Sequence, residues 1–186
     1  GKLGEIVKQL PSVKRVAVIP YLDETPDVGG VDRAVTLPDF LRDFAPADIA
    51  FEQLPFDHPL YILYSSGTTG VPKCIVHGQG GSLLQHLKEH QLQTDLKRGD
   101  RLFYFTTCGW MMWNWLASGL ATGATLLLYD GSPFFPGANT LWDFAAQERM
   151  TVFGTSAKYI DAIAKLKLKP RESHDLSALK TMTSTG

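Results

Sequence analysis

The chain has 186 residues, 44% of them hydrophobic, and a formal net charge of -1 from 18 basic and 19 acidic side chains. A chain of that size removes roughly two-thirds of its unfolded surface from water, so one globular domain with its own core is expected, and a near-neutral balance gives no field to draw in nucleic acid or an anionic membrane. Cys74 and Cys108 are too few for a disulfide framework and read as buried reduced thiols; no stretch reaches the roughly 20 apolar residues of a membrane span or the pattern of a signal peptide, which implies a cytoplasmic protein.

Along the chain, apolar residues at Leu3, Ile6, Val7 and Leu10 have helical spacing. Pro11 and Ser12 end that pattern, and Arg15-Val-Ala-Val-Ile19 reads as a short buried strand. Residues 21–58 turn acidic and Pro-containing, the composition of a surface excursion, with one short helix expected over 37–43. Strand and helix patterns then alternate. Strands are expected at 60–64, 74–77, 101–105, 124–129, 151–153 and 179–182, and helices at 82–92, 112–120, 140–148 and 157–166. Apolar strands separated by helices predict an α/β fold, a mostly parallel sheet with helices on both faces, whose ligands bind where the strands end. The chain lacks an initiator Met and stops at Thr183-Ser-Thr-Gly186, straight after a strand, so it reads as an internal piece of a longer protein.

The loop after the 60–64 strand is rich in phosphate-binding chemistry. In Tyr64-Ser-Ser-Gly-Thr-Thr-Gly-Val-Pro-Lys73, two glycines let successive N–H groups converge on an anion, and Ser65, Ser66, Thr68 and Thr69 add hydroxyl donors. Pro72 stiffens the exit, and Lys73 supplies a mobile point charge. The Walker pattern does not fit, because Lys73 comes three residues after Gly70 and Cys74, not Ser or Thr, follows it.

This stretch is similar to the ATP phosphate-loop motif of the adenylate-forming superfamily, which includes the acyl-CoA synthetases, the luciferases and the adenylation domains of peptide synthetases. The resemblance implies that Ser65, Ser66, Gly67, Thr68, Thr69 and Gly70 surround the leaving pyrophosphate, with Lys73 close behind. Cys74 replaces the usual Gly after that Lys.

A second run, Thr106-Thr-Cys-Gly-Trp-Met-Met-Trp-Asn-Trp115, also follows a strand. Gly109 permits close backbone approach, and Trp110, Met111 and Met112 can wall an apolar slot, while Trp113 and Trp115 read as core residues of a helix. The stretch 109–114 resembles the acetoacetyl-CoA synthetase branch of the superfamily, as do His77-Gly-Gln-Gly-Gly-Ser-Leu-Leu-Gln-His-Leu-Lys-Glu-His90, Leu128-Tyr-Asp-Gly-Ser-Pro133 and Ser184-Thr-Gly186. The resemblance covers nearly everything from Leu60 onward and is looser before it. In acetate-activating relatives a smaller aliphatic residue and a Thr follow the Gly-Trp pair, where this chain has Met111 and Met112, which argues against acetate.

The resemblance further implies that Thr185 and Gly186 edge the acyl and adenine pocket, and that Thr155 and Ser156 line the pantetheine tunnel; the same pair also fits a helix N-cap. It makes residues 1–186 part of the N-terminal ATP- and acyl-binding domain of an AMP-forming acid-thiol ligase. ATP, Mg2+, CoA and acetoacetate would be its small-molecule partners. Neither a metal ligand nor a catalytic residue falls in this segment, because the superfamily's magnesium-binding Glu, ribose-binding Asp and mobile C-terminal Lys have no counterpart here, and the segment alone is expected to be inactive.

Other readings remain open. An acetyl- or other short-chain acyl-CoA synthetase would carry the same loop, and a non-catalytic nucleotide-binding module would also lack the later motifs. His86-Leu-Lys-Glu-His90 fits an inverted zinc-protease pattern, though no third ligand is evident. His77 can orient a phosphate or simply end a strand, and the basic run 165–171 reads as a solvated helix end with a smaller claim on the CoA phosphates.

Overall fold

The computed structural model describes residues 1–65 and 70–185 and forms two compact units, residues 1–53 and 54–186. In the first, helix α1 (Lys2–Lys8) forms where the spacing predicts a helix but buries Val7 alone, leaving Leu3, Ile6 and Leu10 exposed. Strand β1 (Val16–Val18) is half-buried and pairs in parallel with β2 (Ala34–Thr36), a strand the acidic excursion concealed. Thr36 then caps the short helix α2 (Leu37–Leu41), its side chain accepting from the Asp39 N–H, with Pro38 in the first turn, where a missing N–H does no harm.

The second unit opens with an antiparallel pair, β3 (Pro59–Tyr64) and β4 (Cys74–Gly78), in which Tyr64 faces Cys74 and Tyr61 faces His77. The 60–64 stretch is a strand, as its composition predicts, but it is not a buried one: Leu60, Ile62 and Tyr64 are exposed, and only Tyr61 and Leu63 are half-buried. Helix α3 (Gln79–Lys88) follows at once and passes into a π-helical turn (Glu89–Gln93), marked by the Thr94 N–H reaching back to the Glu89 carbonyl at 2.9 Å. The extra residue in a π-turn rotates the side chains after it relative to an α-helix.

The centre of the unit is a four-stranded parallel sheet in the order β6-β5-β7-β8, built from β5 (Arg101–Tyr104), β6 (Thr125–Leu127), β7 (Val152–Thr155) and β8 (Thr181–Ser184). Alternation along β5 and β7 divides the core in two. Leu102, Tyr104 and Val152 face one side with Met112, Trp115 and Leu116 of helix α4 (Met111–Ser118). Phe103 and Phe153 face the other with Leu141, Trp142 and Ala145 of α5 (Thr140–Gln147) and Tyr159 of α6 (Ala157–Lys165). Both sheet faces are therefore helix-covered, which explains why these strands read as continuous apolar runs. A one-turn helix, α7 (Pro170–Ser173), precedes β8.

The second core is aromatic. Trp142 stacks on Phe153 with centroids 4.8 Å apart and planes 5° from parallel, and Phe103 meets Phe153 edge-on at 5.3 Å, both arrangements that aromatic quadrupoles favour. Gly154 allows the sheet to sit against Tyr104: a Cβ there would lie 2.1 Å from the Tyr104 ring. At the other end of the strands, Asp100 is buried and accepts from the Lys97 N–H and from Lys180 Nζ, each at 2.8 Å, linking the residues just before β5 and β8.

The two cysteines differ from expectation. Cys74 and Cys108 are both free and exposed, Cys74 because β4 leaves its outer side chains uncovered and Cys108 because it lies in the turn between β5 and α4.

Candidate functional site

Ser66, Gly67, Thr68, Thr69 and Gly186 lie outside the described residues. What flanks the first four is a closed hairpin neck. The Ser65 N–H donates to the Lys73 carbonyl at 3.0 Å and the Lys73 N–H to Ser65 Oγ at 3.4 Å, continuing the β3–β4 ladder by one more pair. Gly70 and Lys73 are exposed, and a Cβ at Gly70 would meet nothing within 4 Å. The candidate phosphate loop thus starts at the carboxyl end of β3 and ends before β4.

The remaining expected residues gather at the carboxyl edge of the parallel sheet, since the segments 105–111, 155–156 and 185 all follow strands that run the same way. Here Met111, Met112 and Thr185, which come from two distant stretches of sequence, line one cavity of about 480 Å³ together with Tyr104 and Trp115. Met112 is 8% exposed and also belongs to the core, so its position is fixed by packing against Trp115 and Leu116. Met111, one residue earlier on α4, is half-exposed and lines a neighbouring cavity of about 430 Å³ as well, with Tyr61, His77 and Asn114. Gly109 and Trp110 stand apart from both; Trp110 is 58% exposed and precedes the first turn of α4 in an extended conformation.

Thr155 and Ser156 have structural duties. Ser156 caps α6, its Oγ accepting from the Tyr159 N–H at 3.2 Å, which is the N-cap reading of this pair. Thr155 is fully buried and its hydroxyl has no partner among the described residues, while its carbonyl accepts from Tyr104 Oη at 3.2 Å and from the Thr185 N–H at 3.3 Å. Tyr104 thereby braces the end of β7 beneath the cavity, and burial raises its phenol pKa, so it remains a neutral donor.

One wall of the cavity was not legible in the sequence. It is supplied by α3 and the π-turn through Gln85, His86, Glu89 and Gln93. Glu89 is held on both oxygens: Gln85 Nε2 donates to one at 2.6 Å and the Trp115 indole N–H to the other at 3.0 Å. His90, one turn beyond His86, is fully buried and packs on Trp115 at 4.2 Å, with Nε2 3.0 Å from the Trp115 carbonyl and from Ser118 Oγ. Burial lowers the His90 pKa, so the neutral ring donates Nε2–H to that carbonyl. His90 and Glu89 of the zinc-like pattern therefore join α3 to α4, and no group of three metal-ligating side chains occurs among the described residues. No signal in the sequence marks this wall, because the π-turn at Glu89–Gln93 leaves no trace in residue spacing.

Two other features complete the surface. His77 stands against Tyr61 across the hairpin with ring centroids 5.2 Å apart, facing the Met111 cavity. In the 165–171 run, Lys165 and Lys169 pair with Asp161 and Glu172, as a solvated helix end would. A larger cavity of about 720 Å³ lies along β8, between Trp142, Ile163, Leu176 and Met182, with none of the expected site residues on its wall.

A parallel sheet covered on both faces, a Ser/Gly/Thr hairpin loop and an apolar cavity at the strands' carboxyl edge together describe a nucleotide-dependent enzyme domain. Residues 3–186 match the family of AMP-binding enzymes, and the chain belongs to it. Among its relatives, an acetoacetyl-coenzyme A synthetase of Rhizobium meliloti (strain 1021) is 64% identical over 189 residues, and an acetoacetyl-CoA synthetase of Gallus gallus is 52% identical over 191. Each alignment takes in 100% of this chain and 28% of the relative, so the chain spans little more than a quarter of their length. The solved structure of acetoacetyl-CoA synthetase from Streptomyces lividans is similar at a TM-score of 0.85 and 46% identity, over 98% of this chain and 27% of that one. No helix among the described residues is long and apolar enough to cross a membrane.

Proposed function

We propose that residues 1–186 form part of the N-terminal ATP- and acyl-binding domain of an enzyme that joins acetoacetate to CoA with conversion of ATP to AMP and pyrophosphate. The observation that carries this reading is the convergence of Met111, Met112 and Thr185 on one cavity at the carboxyl edge of the sheet, in a chain 64% identical to an acetoacetyl-coenzyme A synthetase. Two methionines give an apolar, adaptable wall suited to a short acyl chain longer than acetate.

In this account the carboxylate of acetoacetate attacks the α-phosphorus of ATP, the bond to the β-phosphate oxygen breaks, and pyrophosphate leaves an acyl-adenylate. The thiol of CoA then displaces AMP to give the thioester. Ser65, Ser66, Gly67, Thr68, Thr69, Gly70 and Lys73 hold the phosphates in line and stabilise the charge that builds on the departing pyrophosphate, acting by position and electrostatics and not as acid or base. The neck at Ser65 and Lys73 fixes where that loop begins and ends. Met111 and Met112 exclude water around the acyl chain, and Thr185 with Gly186 borders the junction between acyl and adenine groups. Magnesium would travel with the nucleotide phosphates and offset part of their charge; no residue of this chain is assigned to it. Gly109 and Trp110, in the exposed turn before α4, lie off the wall of that cavity and are assigned to the acyl site by the resemblance alone. Thr155 and Ser156 would meet pantetheine through their backbone, because one side chain is sealed and the other caps a helix. A cytoplasmic location and a product that enters lipid metabolism go with this reading.

A product assay tests it. The complete enzyme supplied with acetoacetate, CoA and ATP should release AMP and pyrophosphate together with acetoacetyl-CoA; release of ADP and phosphate would contradict the adenylate route.

A further inference from the structure

Acetoacetate differs from butyrate, a saturated acid of the same length, by one carbonyl at C3. That oxygen only accepts hydrogen bonds, and enclosing it among methionines without a donor is unfavourable because it gives up its bonds to water. Apart from the Gln93 amide and the hydroxyls of Thr94, Thr183, Ser184 and Thr185, the cavity that holds Met111 and Met112 has few side-chain donors. The Trp115 N–H and the Gln85 amide are taken by Glu89, and Tyr104 Oη donates to the Thr155 carbonyl. Glu89 itself only accepts.

His86 is different. It lines this cavity, and it also lines the adjoining one that shares Met111, so its ring stands at the junction of the two. It is half-buried, no hydrogen bond from its ring is formed among the described residues, and neither ring nitrogen is among the sealed polar atoms. Its placement is set by its neighbour one turn later. His90, with centroids 6.5 Å from His86, is locked to the Trp115 carbonyl and Ser118, which fixes the face of α3 turned toward α4. Burial, with a smaller contribution from nearby His77, lowers the His86 pKa despite the opposing Glu89 carboxylate, so the ring is neutral near pH 7 and carries one N–H.

We propose that His86 is the specificity-determining residue that reads the 3-keto oxygen of the acyl substrate, donating a ring N–H to it across the Met111–Met112 cavity and so favouring 3-oxo acids over saturated acids of equal length. This rests on the assignment of that cavity to the acyl group.

The test is ATP–pyrophosphate exchange by the complete enzyme with acetoacetate and with butyrate, for the wild type, His86→Leu and His86→Asn. Loss of a hydrogen bond to a buried carbonyl should lower kcat/KM for acetoacetate about 10–100-fold in His86→Leu. Butyrate exchange should stay within about threefold or rise, which also shows that the variant folds, since a hydrogen-bonding site and not general integrity is at stake. His86→Asn, which keeps a donor, should recover part of the acetoacetate rate. An acetoacetate-to-butyrate ratio unchanged in both variants, whether because both rates fall together or because neither moves, would overturn the role of His86 while leaving the acyl assignment standing. Failure of the wild type to exchange with acetoacetate would instead remove the acyl assignment, and His86 with it.

Discussion

The Trp115 indole nitrogen sits 3.0 Å from a carboxylate oxygen of Glu89, so a core tryptophan of α4 is bonded to the first residue of the π-turn after α3. The other Glu89 oxygen takes the Gln85 amide, and His90 next to it is bonded to the Trp115 carbonyl. The α3–α4 junction beside the candidate acyl cavity is therefore a polar network that runs from the exposed Gln85–Glu89 bond inward to the buried His90.

Removing Glu89 strands the Trp115 N–H. Glu89→Ala should reduce stability by about 1–3 kcal/mol, the range for hydrogen bonds to a charged group, and Glu89→Gln should restore part of it. Hydrogen exchange in the complete protein reads this locally: faster exchange over 79–94 in Glu89→Ala is expected, and protection equal to wild type would show that packing alone holds the junction.

Gly154 should not tolerate a side chain. A Cβ would lie 2.1 Å from the Tyr104 ring, so Gly154→Ala forces Tyr104 off the strand and weakens its bond to the Thr155 carbonyl. Overpacking of this kind costs about 1–3 kcal/mol. Tyr104→Leu in the same chain should recover part of that loss, a non-additivity that denaturant titration of the four proteins in the cycle would detect.

The Asp100–Lys180 pair gives a pH dependence of definite sign. Burial alone would raise the Asp100 pKa, but the hydrogen bonds from Lys180, from the Lys97 N–H and from Thr151 outweigh it and hold the carboxyl below its ordinary value. A carboxyl depressed in the folded state binds its proton more readily when unfolded, so its stabilisation is complete above the unfolded pKa of about 3.9 and is lost as pH falls through the folded value. Urea denaturation should therefore show wild type more stable than Asp100→Asn at pH 6, with the gap closing below about pH 4. Lys180→Met, which leaves the buried carboxylate short of a partner, should lower stability by about 1–3 kcal/mol at pH 6.

Lys73→Ala and Thr69→Ala should each slow adenylation, by about 100-fold if each supplies one donor to the departing pyrophosphate. Single-turnover formation of the adenylate measures this directly, and rates equal to wild type would separate the loop from the chemistry.

The parts of the fold that rest on long-range alternation were legible. Strands β5 and β7 and helices α4, α5 and α6 lie where apolar periodicity puts them, because packing on both sheet faces imposes that periodicity on the chain, whereas β8 starts at Thr181, two residues later than expected, and leaves Met182 exposed. Strand β2 was not, since three half-buried residues inside an acidic stretch carry too few apolar positions to show a period. The open faces of β3 and the exposure of Cys74 and Cys108 were missed for a related reason: residue type records what a side chain prefers, and these hydrophobic groups have no partner surface among the described residues. Within the candidate site, Met111, Met112 and Thr185 were named from the sequence, but their meeting in one cavity depends on strand order. His86 and Glu89 resembled a metal pattern because two histidines one turn apart share a helix face; only the buried carbonyl of Trp115 shows that His90 is a packing residue.

In the proposed function, the complete enzyme activates acetoacetate as an adenylate. ATP–pyrophosphate exchange by the complete enzyme, run in parallel with acetoacetate, acetate, propionate and butyrate, tests it most directly. Acetoacetate should support the fastest exchange. Faster exchange with acetate would contradict the substrate, and no exchange with any of the four acids would contradict the chemistry.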